Sequence, residues 1–173
     1  MALVTFYALT QATISADVGA DVSPNSGVEN TADTIADKKE LATELAMAAD
    51  LLIDYVATRK KVTVLCASQT QAESFDDLIW QFPADKFIPH NLYGEGPDMG
   101  TPVEIIWHSA FLSMTKLRNT AVVINLSQQY IENTNNIKHI IDFVPVNEDE
   151  KAQARERYKR YKQAGLKLEY KSA

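Results

Sequence analysis

Six of the chain's 17 Lys and Arg residues, Lys151, Arg155, Arg157, Lys159, Arg160 and Lys162, fall in one stretch near its end, with Glu156 the only acid among them. That stretch carries +5 and everything else −11, for a net charge of −6. An acidic protein with one concentrated basic patch holds anionic partners there, because its field attracts them at the patch and repels them elsewhere. On a helix turning about 100° per residue, Lys151, Arg155, Tyr158 and Lys162 fall within about 60° of one another, with Lys159 about 40° outside. Ala154, Tyr161 and Gly165 lie on the adjoining face and are expected to meet the core. Tyr158 then sits at the boundary and can floor a shallow apolar pocket. The competing reading of the stripe is a solvated basic face, helped by the preference of a helix C-terminus for cations.

A second candidate is Phe87-Ile-Pro-His-Asn-Leu-Tyr-Gly-Glu-Gly-Pro97, an apolar segment passing into two glycines and a proline. Its backbone amides could hold a phosphate, and a small nucleotide-dependent enzyme using the Gly94–Pro97 loop is the alternative function. Yet the loop lacks a P-loop's Gly-Lys-Ser/Thr ending and a dinucleotide fingerprint's third glycine, and Glu95 would repel phosphate. A structural turn is the favoured reading, with glycines supplying positive φ and Pro97 fixing the exit. His90 lies beside Asn91 and near Glu95, but the sequence supplies it no recognisable nucleophile or orienting carboxylate. His108 and His139 lack metal-ligand spacing. No catalytic residue, metal ligand or cofactor is assigned. Trp80 and Trp107 sit in strongly apolar patterns and are expected in the core.

The elements that must position these groups follow from periodicity. Val4 to Leu9 has the composition of a strand. From Thr10 to Thr34 large apolar groups are scarce, which predicts a long, flexible loop within one α/β domain spanning residues 1–173. Asp37 with Glu40 resembles a capping box. Leu41, Leu45, Ala48, Leu52 and Tyr55 follow at helical spacing. Val62 to Cys66 is a short apolar run of the kind found in buried parallel strands. Ser68 or Thr70 can cap a helix carrying Ala72, Phe75, Ile79 and Phe82 on one face, with Pro83 beyond its end. Further strands are expected at Val103 to Trp107, at Ala121 to Asn125 and around Ile140 to Val144. A last helix is expected from near Glu148 to Gly165, whose missing Cβ suits a left-handed cap. Strands alternating with helices predict a three-layer fold, a mostly parallel sheet with helices on both faces.

Composition narrows the function classes. At 173 residues and 46% hydrophobic content, the chain can bury a full core without staples. No stretch approaches the ~20 apolar residues of a membrane span, and Met1 to Leu9 lacks the features of a signal peptide, so a cytoplasmic setting is expected. The single cysteine, Cys66, excludes an internal disulfide and is expected to be a buried strand residue. A pI near 5.1 argues against general nucleic-acid binding, which depends on neutralising many phosphates. A protein tail is the better anionic partner for the basic stripe.

Three blocks together resemble the chi subunits of bacterial DNA polymerase III holoenzyme. They are Thr5-Phe-Tyr, the Phe87-to-Pro97 segment, and Asp142-Phe-Val-Pro followed by Ala154-Arg-Glu-Arg-Tyr-Lys-Arg-Tyr-Lys-Gln-Ala-Gly165. The resemblance spans nearly the whole chain apart from the early loop. It implies a non-enzymatic replisome accessory, with a fold similar to nucleotide-binding α/β proteins but no nucleotide role. In that family the subunit pairs with psi, which links it to the clamp loader. It also binds the acidic C-terminal tail of single-stranded DNA-binding protein, so contact with DNA is indirect.

The family's tail pocket carries over onto Arg155, Tyr158, Lys159 and Lys162, with Lys151 at the rim and Phe87 and Val144 as apolar walls. Two departures stand out. Lys162 occupies a place where the family pattern has Arg, and lysine cannot make the flat bidentate contact of a guanidinium. The Thr10 to Thr34 segment is longer than in other members. The psi-binding surface follows no motif, so no residues are assigned to it.

Overall fold

The computed structural model describes residues 2–10, 32–81, 87–107, 120–132 and 134–172, with only the backbone course for residues 32–42. Seven strands build one sheet: β1 (Leu3–Ala8), β2 (Val62–Cys66), β3 (His90–Leu92), β4 (Val103–Trp107), β5 (Val122–Asn125), β6 (His139–Val144) and β7 (Lys167–Ser172). Their order is β3-β4-β2-β5-β6-β1-β7. Every neighbouring pair is parallel. Parallel strands need covered crossovers, and a strand buried on both sides reads as a continuous apolar run. β2, with all five residues buried, is that case.

Three helices occur among the described residues: α1 (Ala32–Ala57), α2 (Gln69–Gln81) and α3 (Glu148–Gln163). α1 and α2 cover one face. Leu45, Ala48 and Leu52 from the first and Phe75 and Ile79 from the second join Val64, Ile105, Ile124 and Phe143 in one core. The opposite face carries Val4, Phe6, Leu65, Ile106, Val123 and Ile140, with Tyr161 of α3 packed among them. Odd and even strand positions thus feed two cores, as the period-2 alternation of a pleated sheet requires. Each large side chain taken fully from water stabilises the fold by about 1.5–3 kcal/mol.

This is the three-layer α/β arrangement expected, with a sheet parallel throughout. The α2 cap is Ser68, whose Oγ accepts from the Gln71 amide at 3.2 Å. Cys66 is fully buried, and desolvation pushes its thiol up to about 12. Three expectations need correction. α1 begins at Ala32, upstream of Asp37, so Asp37 with Glu40 falls inside the helix rather than at its start. That leaves Ala32 to Thr34 outside the loop expected there, while residues 11–31, Phe82, Pro83 and His108 lie beyond the described set. Strands β3 and β7 were not foreseen, because one has three residues and the other is mostly polar.

Candidate functional site

Asn147 opens α3, its side-chain oxygen accepting from the Asp149 amide at 2.9 Å. Glu148, Asp149 and Glu150 occupy the first turn and Arg160 and Lys162 the last, each matching the helix dipole. Beyond the Ala164 cap, Gly165 takes φ +78°, as its position after the helix suggested, but it is exposed rather than packed in the core.

The buried face of α3 consists of Ala154, Arg157 and Tyr161. Arg157 is not part of any surface patch. Its Nη2 and Nε donate to Asp142 at 2.9 and 3.2 Å, and it also donates to the carbonyls of Gln128 and Phe143. Asn125 adds a further bond to the same carboxylate at 3.2 Å. Burial pushes the Asp142 carboxyl up from its ordinary range, and the Arg157 charge and hydrogen bonds pull against it. Tyr161 packs edge-on against Phe6 with ring centroids 6.2 Å apart, and its hydroxyl accepts from the Ile131 amide. Together these contacts set the rotation of α3 about its axis.

That rotation decides which cations face outward. Lys151, Arg155, Tyr158, Lys159 and Lys162 line an open cleft of about 570 Å³, joined by Ala154, Val144, Phe6 and Tyr170. The stripe read from helical spacing is therefore a real surface feature. Arg160 departs from it, lying over the Tyr130 ring at 3.9 Å with Glu132 3.7 Å away. Of the six clustered cations, four reach the cleft.

Tyr158 is 38% exposed, with its ring 5.4 Å from Phe6, at the expected boundary between core and solvent. Val144 is half-buried at the end of β6. Acids already sit at the rim: Glu148 contacts Lys151 at 2.7 Å and Arg155 at 3.7 Å, and Glu156 contacts Lys159 at 3.6 Å. The hydrogen bond from Lys151 holds the Glu148 carboxyl below the ordinary range.

Phe87 does not line this cleft. It is 74% exposed near β3, at the other edge of the sheet, with its ring 6.1 Å from that of Trp80. Phe6 and Tyr170 supply the walls instead. Neither could be read from a pattern, because β1 and β7 bring them to α3 from opposite ends of the chain.

Trp80 is 63% exposed, contrary to its expected place in the core. It follows Ile79 by about 100° around α2, which turns it away from the buried face. Trp107, by contrast, packs against the core. His90 has the carboxylate that the sequence failed to reveal: Nε2 lies 3.2 Å from Asp76 of α2, and Nδ1 pairs with the Ile88 carbonyl at 2.6 Å. With Trp80 only 4.9 Å away, the imidazole braces an aromatic surface. The Gly94 loop is a turn. Gly94 has φ +89°, the Glu95 amide donates to Leu92, and the Gly100 amide donates to Pro97. A Cβ on Gly96 would meet the Asn91 side chain at 2.6 Å.

Fold and cleft together define a parallel α/β protein whose last helix lines a cationic, aromatic-floored cleft. The fold is similar to that in the crystal structure of T4 UvsW, with TM-score 0.65 at 10% identity, over 99% of this chain and 41% of that one. Residues 1–169 match the family described as DNA polymerase III chi subunit, HolC, and the chain belongs to that family. It is 40% identical over 109 residues to the DNA polymerase III subunit chi of Haemophilus influenzae, covering 63% of this chain and 73% of that one. The subunit chi of Escherichia coli strain K12 is 38% identical over 109 residues, covering 63% and 71%.

Proposed function

We propose that this chain is a non-catalytic, cytoplasmic adaptor of the replication machinery. Its cleft holds the acidic C-terminal tail of single-stranded DNA-binding protein, and its attachment to psi links that contact to the clamp loader. The observation that carries the reading is the convergence of Lys151, Arg155, Lys159 and Lys162 around the Phe6–Tyr158–Val144 floor in a chain of the chi family. Arg155 or Lys159 holds the terminal carboxylate by charge-assisted hydrogen bonds, each worth about 1.5–3 kcal/mol. Tyr158, Phe6 and Val144 receive the last side chain. Lys151 and Lys162 steer the acidic residues upstream. Affinity is modest and falls with salt, since a short peptide buries little area and exposed charges are screened.

The tilted pair Trp80 and Phe87, with ring centroids 6.1 Å apart, supports a second docking surface. It lies at the β3 edge, about 25 Å across the sheet from β1 at ordinary strand spacing. Two large exposed rings braced by His90 suit an apolar partner, and psi is the partner assigned to them. An adaptor with its sites at opposite edges can hold both partners at once.

Titration with a labelled acidic peptide ending in Ile-Pro-Phe tests the cleft. Binding should weaken with salt, and Arg155→Ala should remove most of it. Unchanged affinity in Arg155→Ala overturns the assignment.

A further inference from the structure

We infer that Tyr170 is a second aromatic jaw of the cleft, one that makes the site selective for a peptide whose last side chain is aromatic; this rests on the tail-binding reading of the cleft. In the sheet register Asp142, Phe6 and Tyr170 are direct neighbours across β6, β1 and β7. Partners in register project from the same face, so the three form a row running beneath α3. The helix covers only the inner part. Asp142 is 0% and Phe6 1% exposed, while Tyr170 is 65% exposed. A single exposed tyrosine needs no special explanation. What distinguishes Tyr170 is its place on the cleft wall with four cations and Tyr158.

Three rings from three elements therefore surround the notch. Phe6 links the other two, as the neighbour of Tyr170 across β1 and β7 and 5.4 Å from Tyr158. An aromatic side chain entering the cleft can pack against these rings in the offset or edge-on arrangements that aromatic pairs favour. A terminal alanine would leave those faces uncovered. The carboxylate grip does not depend on the side chain, so the cations supply affinity for any acidic chain end while the rings discriminate among them. The competing role for Tyr170 is purely structural, as a cross-strand partner that secures β7 against Phe6.

Fluorescence anisotropy with two acidic peptides, identical except for a terminal Phe or Ala, separates these roles in wild type, Tyr170→Leu and Tyr170→Phe. Wild type should prefer the Phe-ended peptide. Tyr170→Leu keeps an apolar residue on β7, and should lose about three- to tenfold for the Phe-ended peptide while changing less than about twofold for the other. Tyr170→Phe should retain wild-type preference. Equal losses for both peptides, or no loss for either, overturn the inference while leaving the tail-binding reading intact. Failure of wild type to bind either peptide overturns both.

Discussion

Arg157 and Asp142 meet inside the protein, Nη2 to Oδ1 at 2.9 Å, with side-chain exposures of 5% and 0%. This joint pins α3 to the C-terminal end of β6 and so aims Arg155 and Tyr158 outward. Removing one partner of a buried pair strands the other charge without solvent, which costs more than the pair itself contributes. Arg157→Met should therefore lower unfolding stability by about 3–5 kcal/mol in urea denaturation. Arg157→Met with Asp142→Leu should recover much of that loss. A double variant as unstable as the single one would contradict a charge-desolvation origin.

Glu148 occupies the cleft rim in the free protein, bonding Lys151 and approaching Arg155. An incoming carboxylate must compete with it for both cations. Glu148→Gln removes the competing charge and should raise affinity for an acidic peptide by roughly two- to fivefold at low salt. The gain should shrink as salt screens the rim. Weaker binding in this variant would show that Glu148 orders the cations rather than competes for them.

Trp80 and Phe87 bury little of their surface in the isolated chain. Trp80→Ala with Phe87→Ala should shift unfolding stability by no more than about 1 kcal/mol, yet abolish co-purification with psi while leaving tail-peptide affinity unchanged. Loss of both interactions together would argue that the two surfaces are not separate.

His139 is held between Tyr55 Oη at 2.7 Å and Thr5 Oγ1 at 2.8 Å, joining α1 to the sheet. Burial keeps its imidazole below the ordinary 6.5, against the pull of Glu169 and with a push from Lys60 and Lys171. A depressed pKa means the unfolded chain takes up the proton first. The stability His139 contributes is complete above about pH 6.5 and is lost as pH falls through the folded value. Denaturation midpoints at about pH 7.5 and about pH 5 should fall further for wild type than for His139→Gln. Parallel changes in the two proteins would place the acid sensitivity elsewhere.

Local regularities were legible without coordinates. The 3.6-residue period put Lys151, Arg155, Tyr158 and Lys162 on one face of α3, and the apolar run Val62 to Cys66 marked a strand buried on both sides. Ser68 or Thr70 marked a helix start, which the structure places at Ser68, and Gly165 marked a helix stop. These signals involve residues within a turn or two of each other, so they survive in the sequence alone. The seven-strand order is a different kind of fact. It sets β1 between β6 and β7, and with them Phe6 between Asp142 and Tyr170. Whether a cation on α3 faces solvent or a carboxylate depends on that neighbourhood. Arg157 and Arg155 are two residues apart and of one type, yet one is locked in the interior and the other lies exposed at the cleft, within 3.7 Å of Glu148. His90 with Asp76 and Trp80 with Phe87 likewise come together only when α2 packs beside β3. Spacing along a chain determines which face a side chain occupies, and packing determines what that face meets.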